Sequence, residues 1–230
     1  YGQSSGAIVN IATRSGGKEF HGELFEFFRN DALDARNFFE HTTSNPAPFK
    51  RNQFGGSLGG PIIKNKTSFF VSYEGLRQRQ GLNVNSLVLS DAQRASATDP
   101  VITKLIELIP KANFAEQSDA PRFVGWANAP VNVNQWTADI SQRLSKTDQL
   151  HGFYAIQQGE TEEPTRSGNT IPGFGYIAPL VRQVFTLNET HTFGPAAVNE
   201  ARIGFNRWST RTTPNAQLNP LEFGIRNGIS

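Results

Sequence analysis

The chain has 230 residues, of which 37% are hydrophobic, 11% aromatic and 18% charged, so it is too apolar and too aromatic for a disordered tail. The absence of cysteine excludes a disulfide scaffold, a Cys-ligated zinc site, an iron–sulfur cluster and a thiol nucleophile. Lys and Arg number 22 against 20 Asp and Glu, and no basic run is long enough to track a phosphate backbone, so nucleic acid is not an expected partner. The chain starts at Tyr1 and contains no methionine, which reads as a piece of a longer polypeptide. Its densest apolar run, Val101 to Ile109, is broken by Lys104 and Glu107 and falls far short of the roughly 20 residues a spanning helix needs.

Alternation with a period of two dominates the chain and predicts strands. Ala7, Val9, Ile11 and Thr13 alternate with Ile8, Asn10, Ala12 and Arg14 in a short first strand that Gly16-Gly17 ends. In Glu19 to Arg29, Phe20, Leu24 and Phe28 share a face, and the Gly- and Asn-containing segment Arg51 to Pro61 follows after a connection at 30–50. The tight turn Lys64-Asn65-Lys66 leads into Ser68 to Arg79, with Phe69, Val71 and Tyr73 opposite Ser72 and Glu74.

The long connection at 80–133 carries its own helix. Asp99 and Pro100 supply an N-cap and a first-turn proline, and Ile102, Leu105, Ile106 and Ile109 follow at helical spacing until Pro110. Ser90-Asp91 is a cap for a short preceding helix. Such an insertion suits a lid or ligand-contacting loop, or one that merely folds over the mouth of the molecule.

Trp136, Ala138, Ile140 and Leu144 then alternate with Thr137, Asp139, Ser141 and Arg143. After the turn Ser145 to Asp148, Leu150, Gly152, Tyr154 and Ile156 face away from His151 and Gln157. Beyond a connection at 161–179, Phe185 and Leu187 oppose Arg182, Thr186 and Asn188. A last turn at Gly194 to Ala197 joins a strand in which Ala201, Ile203 and Phe205 oppose Glu200, Arg202 and Asn206.

This gives about seven long strands, most longer than the roughly 5–6 residues usual in soluble sheets. Short turns and long connections alternate strictly. In an antiparallel sheet the two kinds fall at opposite ends, which is the asymmetry of outer-membrane barrels. The fold class expected is therefore all-β: an antiparallel transmembrane β-barrel segment with a short helical insertion in a long extracellular loop. Alternation alone also allows a soluble sandwich.

Little in the chain points to catalysis or to a cofactor. The histidines His21, His41, His151 and His191 form no His-x-His pair and no His-Glu-x-x-His helix, so no metal site is expected. Glu160, Glu162 and Glu163 open a polar loop, and no Gly-x-Ser-x-Gly elbow stands with a base. Gly55-Gly56-Ser57-Leu58-Gly59-Gly60-Pro61 lacks the Lys-Ser/Thr of a phosphate loop. Glycines repeated within a strand instead mark close approach of another backbone or side chain, as a lumen wall against a plug would require, or provide curvature.

The segment Tyr1-Gly2-Gln3-Ser4-Ser5-Gly6-Ala7-Ile8-Val9-Asn10-Ile11-Ala12-Thr13-Arg14-Ser15-Gly16 resembles the last plug strand of TonB-dependent outer-membrane transporters, and Glu19-Phe20-His21-Gly22 resembles the start of their first barrel strand. The likeness continues through Phe27-Phe28-Arg29-Asn30-Asp31-Ala32-Leu33-Asp34-Ala35-Arg36-Asn37-Phe38-Phe39, Arg51-Asn52-Gln53-Phe54-Gly55-Gly56-Ser57-Leu58-Gly59-Gly60-Pro61-Ile62 and Phe69-Phe70-Val71-Ser72-Tyr73-Glu74-Gly75-Leu76-Arg77, which are similar to the Oar-like subgroup. The resemblance covers about the first 80 residues of the chain. It implies a barrel closed around an internal plug, outer-membrane lipid as surroundings, and an inner-membrane TonB energy-coupling complex as partner. It also implies an extracellular solute as cargo. Residues 1–17 are then the end of the plug and 18–230 the first part of the barrel.

Arg77, Arg143, Arg202 and Arg207 are candidates for lumen or rim polarity toward a solute, with ordinary charge balance as their other role. The alternative function is a soluble or cell-surface β-rich binding module, carbohydrate-binding or adhesin-like, with Trp126, Trp136 and Trp208 as stacking platforms.

Overall fold

A computed structural model describes residues 14–34, 47–115, 121–166, 170–216 and 218–225. The expected strand at Ala7 to Thr13 and His41 lie outside the described residues.

The chain runs as a meander. Strand β1 (His21–Asn30) is followed by a short 3-10 turn at Asp31–Leu33, whose start is capped by the Asn30 side chain accepting from the Ala32 N–H. Strand β2 (Phe49–Ile63) and β3 (Thr67–Leu87) form a hairpin, and Asn65 takes the left-handed backbone (φ 60°) that its turn requires. Two helices come next, α1 (Asp91–Ala95) and α2 (Pro100–Glu107). Ser90 and Gln93 close a capping box on α1, and the Asp99 carboxylate accepts from the Val101 and Ile102 N–H groups at the start of α2. The chain continues through β4 (Phe114–Ala115), β5 (Pro121–Asn128), β6 (Val131–Arg143), β7 (Asp148–Glu163), β8 (Tyr176–Gly194), β9 (Ala197–Thr210) and β10 (Thr213–Pro214), then a 3-10 turn at Pro220–Phe223.

The ten strands among the described residues form one open antiparallel sheet, in the order β1-β2-β3-β6-β7-β8 with β9 beside β8. The expected turns at 64–66, 145–148 and 194–197 lie together at one end, as hairpin geometry demands. At the other end the strands reach further than the alternation predicts. Strand β3 has 21 residues, about 70 Å of extended chain, against the roughly 9–11 residues that cross a bilayer. Its lower half pairs with β6, and its upper part, from Gly81 to Leu87, pairs with β5. Strands β5 and β6 are thus one ribbon broken at Ala129-Pro130, where proline has no N–H to give the ladder. The ladder closes around the break: Ala129 donates to the Gln80 carbonyl at 2.7 Å, and Glu162 donates to the Pro130 carbonyl at 3.0 Å. The connection expected over 80–133 therefore includes paired strand at both ends.

Cross-strand register sorts the side chains into two faces. One face carries the row Leu58, Val71, Ala138, Tyr154, Phe185 and Phe205, flanked toward the tight turns by Phe69, Ile140, Leu187 and Ile203. Among the described residues no layer covers this face: Ile203 is 67% exposed, Phe205 54% and Val71 40%. The buried apolar side chains among the described residues are Phe70, Val84, Val88 and Ala129. All but Phe70 sit in the region beyond the long-loop end of the β3–β6 pairing, where Ser86 is fully buried and its hydroxyl donates to the Thr170 carbonyl. A sandwich would bury its alternating apolar rows against a second sheet; here they face outward together.

Candidate functional site

The opposite face is polar and is built by the same register. Glu23, Ser57, Ser72 and Thr137 form one row. Glu74, Gln135, Gln157 and Arg182 form the next toward the long connections. Ser68, Ser141, His151, Asn188 and Arg202 form a row nearer the tight turns. These side chains satisfy one another across strands. The Ser72 and Thr137 hydroxyls are 2.5 Å apart, and the Gln53 amide donates to the Glu74 carboxylate at 2.6 Å.

Asp139 is the most enclosed charge-bearing group in this wall, 3% exposed between its register partners Phe70 and Phe153. One carboxylate oxygen is 2.6 Å from His151 Nε2, while the other, Oδ1, is buried without a hydrogen-bond partner. Removing His151 would leave the enclosed Asp139 without that partner, whereas the half-exposed His151 keeps access to water.

Residues 14–18 cross the same face. Arg14 donates to Glu23 at 3.3 Å. Gly16 passes so close to β3 that a Cβ there would be 2.3 Å from the Phe69 carbonyl oxygen, so no larger residue fits without displacing backbone. Gly16, Gly17 and Lys18 help line a groove of about 550 Å³ near the tight turns, together with Arg143, His151 and Asn188.

An unlayered sheet, apolar on one face and polar on the other, inverts the plan of a water-soluble barrel. The chain matches the outer membrane beta barrel domain family over residues 12–229. It belongs to that family. Its place is accordingly the outer membrane, with the apolar face toward lipid and the polar face toward the lumen. The TonB-dependent transporter Oar of Myxococcus xanthus is 35% identical over 78 residues, a match spanning 32% of this chain and 7% of that protein. Family and relative are a membrane barrel and a transporter, not an enzyme. No solved structure matches the chain.

The barrel face assignment places the four candidate arginines. Arg143 and Arg202 stand on the lumenal face, Arg202 donating to Glu200 at 2.6 Å. Arg77 and Arg207 stand on the outer face: Arg77 has the parity of Tyr73, and Arg207 that of Phe205. The Arg77 guanidinium donates to the carbonyls of Leu76 (2.9 Å) and Val133 (2.8 Å) and to Asn134 Oδ1 (2.6 Å). The tryptophans do not form one platform. Trp126 and Trp136 lie on the outer face on different strands, while Trp208 lies on the lumenal face with Arg182 4.9 Å above its ring.

The glycines of β2 serve close approach, chiefly of side chains from the neighbouring strand. Phe25, Leu24 and His21 are the register partners of Gly55, Gly56 and Gly59, and each lies over its glycine. A Cβ on Gly55 would also be 2.2 Å from the Tyr73 carbonyl oxygen. Large side chains laid over strand glycines shield backbone that has no side chain of its own.

Two groupings escaped sequence reasoning. Asp139 and His151 meet diagonally across β6 and β7, which only the register reveals. Asp148, Glu189 and His191 bring potential metal-ligand atoms within 4.8 Å of one another on the outer face. The Glu189-x-His191 spacing on one strand face was the available signal. Asp148 also bonds Ser145, Thr147 and His191, so the contacts brace the hairpin.

On the long-loop side, the connections at 80–133 and 161–179 and the 3-10 turn at Pro220–Phe223 come together. Arg94 donates to the Ile106, Ile109 and Pro110 carbonyls at 2.9, 2.8 and 2.7 Å, placing a cation at the C-terminal end of α2. Lys104 on α2 donates to the Glu222 carbonyl at 3.1 Å, and Ser86 reaches Thr170.

Proposed function

We propose that the chain is the plug-to-barrel junction and opening part of the barrel of a TonB-dependent outer-membrane transporter of the Oar-like kind. It takes up a large or scarce solute from outside the cell, driven by an inner-membrane energy-coupling complex. The observation that carries this reading is the path of residues 14–18 across the lumenal wall, fastened by Arg14 to Glu23 and by the close pass of Gly16 over Phe69. A segment entering β1 from the lumen is what a plug inside the barrel requires. The likeness to the Myxococcus transporter supports the same class. In this reading residues 1–17 end the plug, and the connections around 30–50, 80–133 and 161–179 line the extracellular mouth. The converging contacts of Ser86, Lys104 and Arg94 hold part of that mouth in one shape.

The test is uptake by cells carrying the full-length parent protein as their source of this transporter. Solutes accumulated from spent medium are compared by mass spectrometry between energised cells and cells depleted of the coupling protein. At least one solute is expected to depend on both the parent protein and the coupling protein. Accumulation that needs the parent but is indifferent to the coupling protein would mean a passive pore and overturn the proposal.

A further inference from the structure

We propose that Lys50, Arg77 and Arg79 form a binding site on the lipid-facing surface for the phosphate of an anionic lipid headgroup, in the leaflet beside the long connections. This rests on the outer face of the barrel and is independent of the transport reading. Lys50 and Arg79 are direct cross-strand partners on β2 and β3, and Arg77 stands two residues along β3 on the same face. Like charges placed directly opposite in a sheet repel. Among the described residues none of the three forms an ion pair with a carboxylate. By register, Glu160 and Glu162 on this face stand level with Arg77 and Arg79 two strands away, about 10 Å between backbones, and Glu26 lies one strand from Lys50 and four residues along it; none of these carboxylates pairs with the cluster, and Glu162 accepts from Asn215 at 3.2 Å.

The cluster is also organised for an oxyanion. Carbonyl oxygens and Asn134 hold the Arg77 guanidinium, which lies 5.8 Å from the Phe54 ring centre. Those bonds leave two of its five N–H donors unused. Arg79 donates one Nη to the Gln78 carbonyl and to Asn132 Oδ1, both at 3.0 Å, and both Arg79 and Lys50 are exposed. Immediately toward the tight turns stand Phe54, Tyr73 and Trp136, with the Tyr73 and Trp136 rings 4.2 Å apart. Tyr and Trp collect at membrane interfaces, so this group marks the edge of the hydrocarbon. Basic side chains just beyond that edge sit at headgroup depth, where an anionic phosphate relieves the Lys50–Arg79 repulsion and accepts from several donors at once.

The full-length parent protein, purified in nonionic detergent, is incubated with diphosphoryl lipid A or with phosphatidylcholine. Retained lipid is then counted by native mass spectrometry. The unaltered protein is expected to retain lipid A. The Arg77→Gln/Arg79→Gln variant is expected to lose about fivefold in affinity for each charge removed. The Lys64→Gln/Lys66→Gln variant, which removes equal charge at the tight-turn end, is expected to bind as the unaltered protein does. Phosphatidylcholine, whose ammonium offsets its phosphate, is expected to show no difference among them. Folding is checked by heat-modifiable gel migration, and if the arginine pair proves necessary for it, the exposed Lys50→Gln alone is expected to lose about fivefold. Equal lipid A retention by the arginine variant or by Lys50→Gln, or equal loss in the turn variant, would overturn the site. Displacement of the lipid by millimolar inorganic phosphate would also overturn it, since that outcome assigns the cluster to free phosphate.

Discussion

The assignment of faces can be tested with two alanines that stand on opposite sides of the wall. Ala138 on β6 lies in the outer row between its partners Val71 and Tyr154. Ala155 on β7 lies in the lumenal row between Thr137 and Val184. Both are inner strands of the sheet, so neither result depends on an unpaired edge. Each alanine is changed to Leu and to Arg in the full-length parent protein. The Arg-minus-Leu difference at each position then separates polarity from bulk.

At Ala138 an arginine enters the hydrocarbon, which costs about 2–4 kcal/mol near the midplane of a barrel. A cost of that size shifts the folding equilibrium about 30- to 700-fold, since 1.4 kcal/mol is a factor of ten. At Ala155 the guanidinium meets a polar lumen with the Thr137 hydroxyl beside it, and the difference is expected to be within about 0.5 kcal/mol, as for surface positions. Unfolding in denaturant is followed in phospholipid vesicles by heat-modifiable migration and tryptophan emission. Equal differences at the two sites, or a larger one at Ala155, would refute the placement of lipid and lumen.

Two further changes probe the wall itself. Gly55→Ala puts a methyl 2.2 Å from the Tyr73 carbonyl oxygen and is expected to destabilise by at least about 1–3 kcal/mol, whereas Gly152→Ala, 3.4 Å from Ile140 Cγ2, is expected to be near neutral; urea midpoints in vesicles compare them. His151→Leu leaves the buried Asp139 carboxylate without its partner and is expected to cost about 1–3 kcal/mol, more than Asp139→Leu, whose loss leaves a histidine side chain still 40% exposed to water. The same unfolding measurement decides the order of the two.

Much of this architecture was legible because lipid imposes a two-residue period on every strand it touches. Phe69, Val71 and Tyr73, and likewise Trp136, Ala138 and Ile140, fall on one face as their alternation requires. The three tight turns and the Asp99 cap of α2 were legible because their chemistry is local. The extension of β3 was not. Its partner β5 lies beyond a helical insertion, and Gly81 reads as a strand end. The weak alternation of Leu82 and Val84 against Asn83 and Asn85 was the signal available. Arg77 and Arg207 show a different loss, for their parity placed them on the apolar face while their charge suggested the lumen.

That conflict between parity and charge follows from depth. Parity states which face a side chain takes, and position along the strand states whether that face meets hydrocarbon or headgroups there. Arg77 lies four residues from Tyr73 along β3, on the long-loop side of the aromatic group, and Arg207 two residues beyond Phe205 in the same direction. At that level an outer-face cation costs little, because the apolar requirement ends at the interface. The lumenal face has no such limit, so its polar rows run the length of the sheet from Ser68 to Arg182. It follows that charge confined to the ends of an outer row carries information about membrane position. Charge on the lumenal face reads differently: Glu23 accepts from Arg14 of the segment that crosses the wall, whereas Asp139 pairs with His151 within the wall itself.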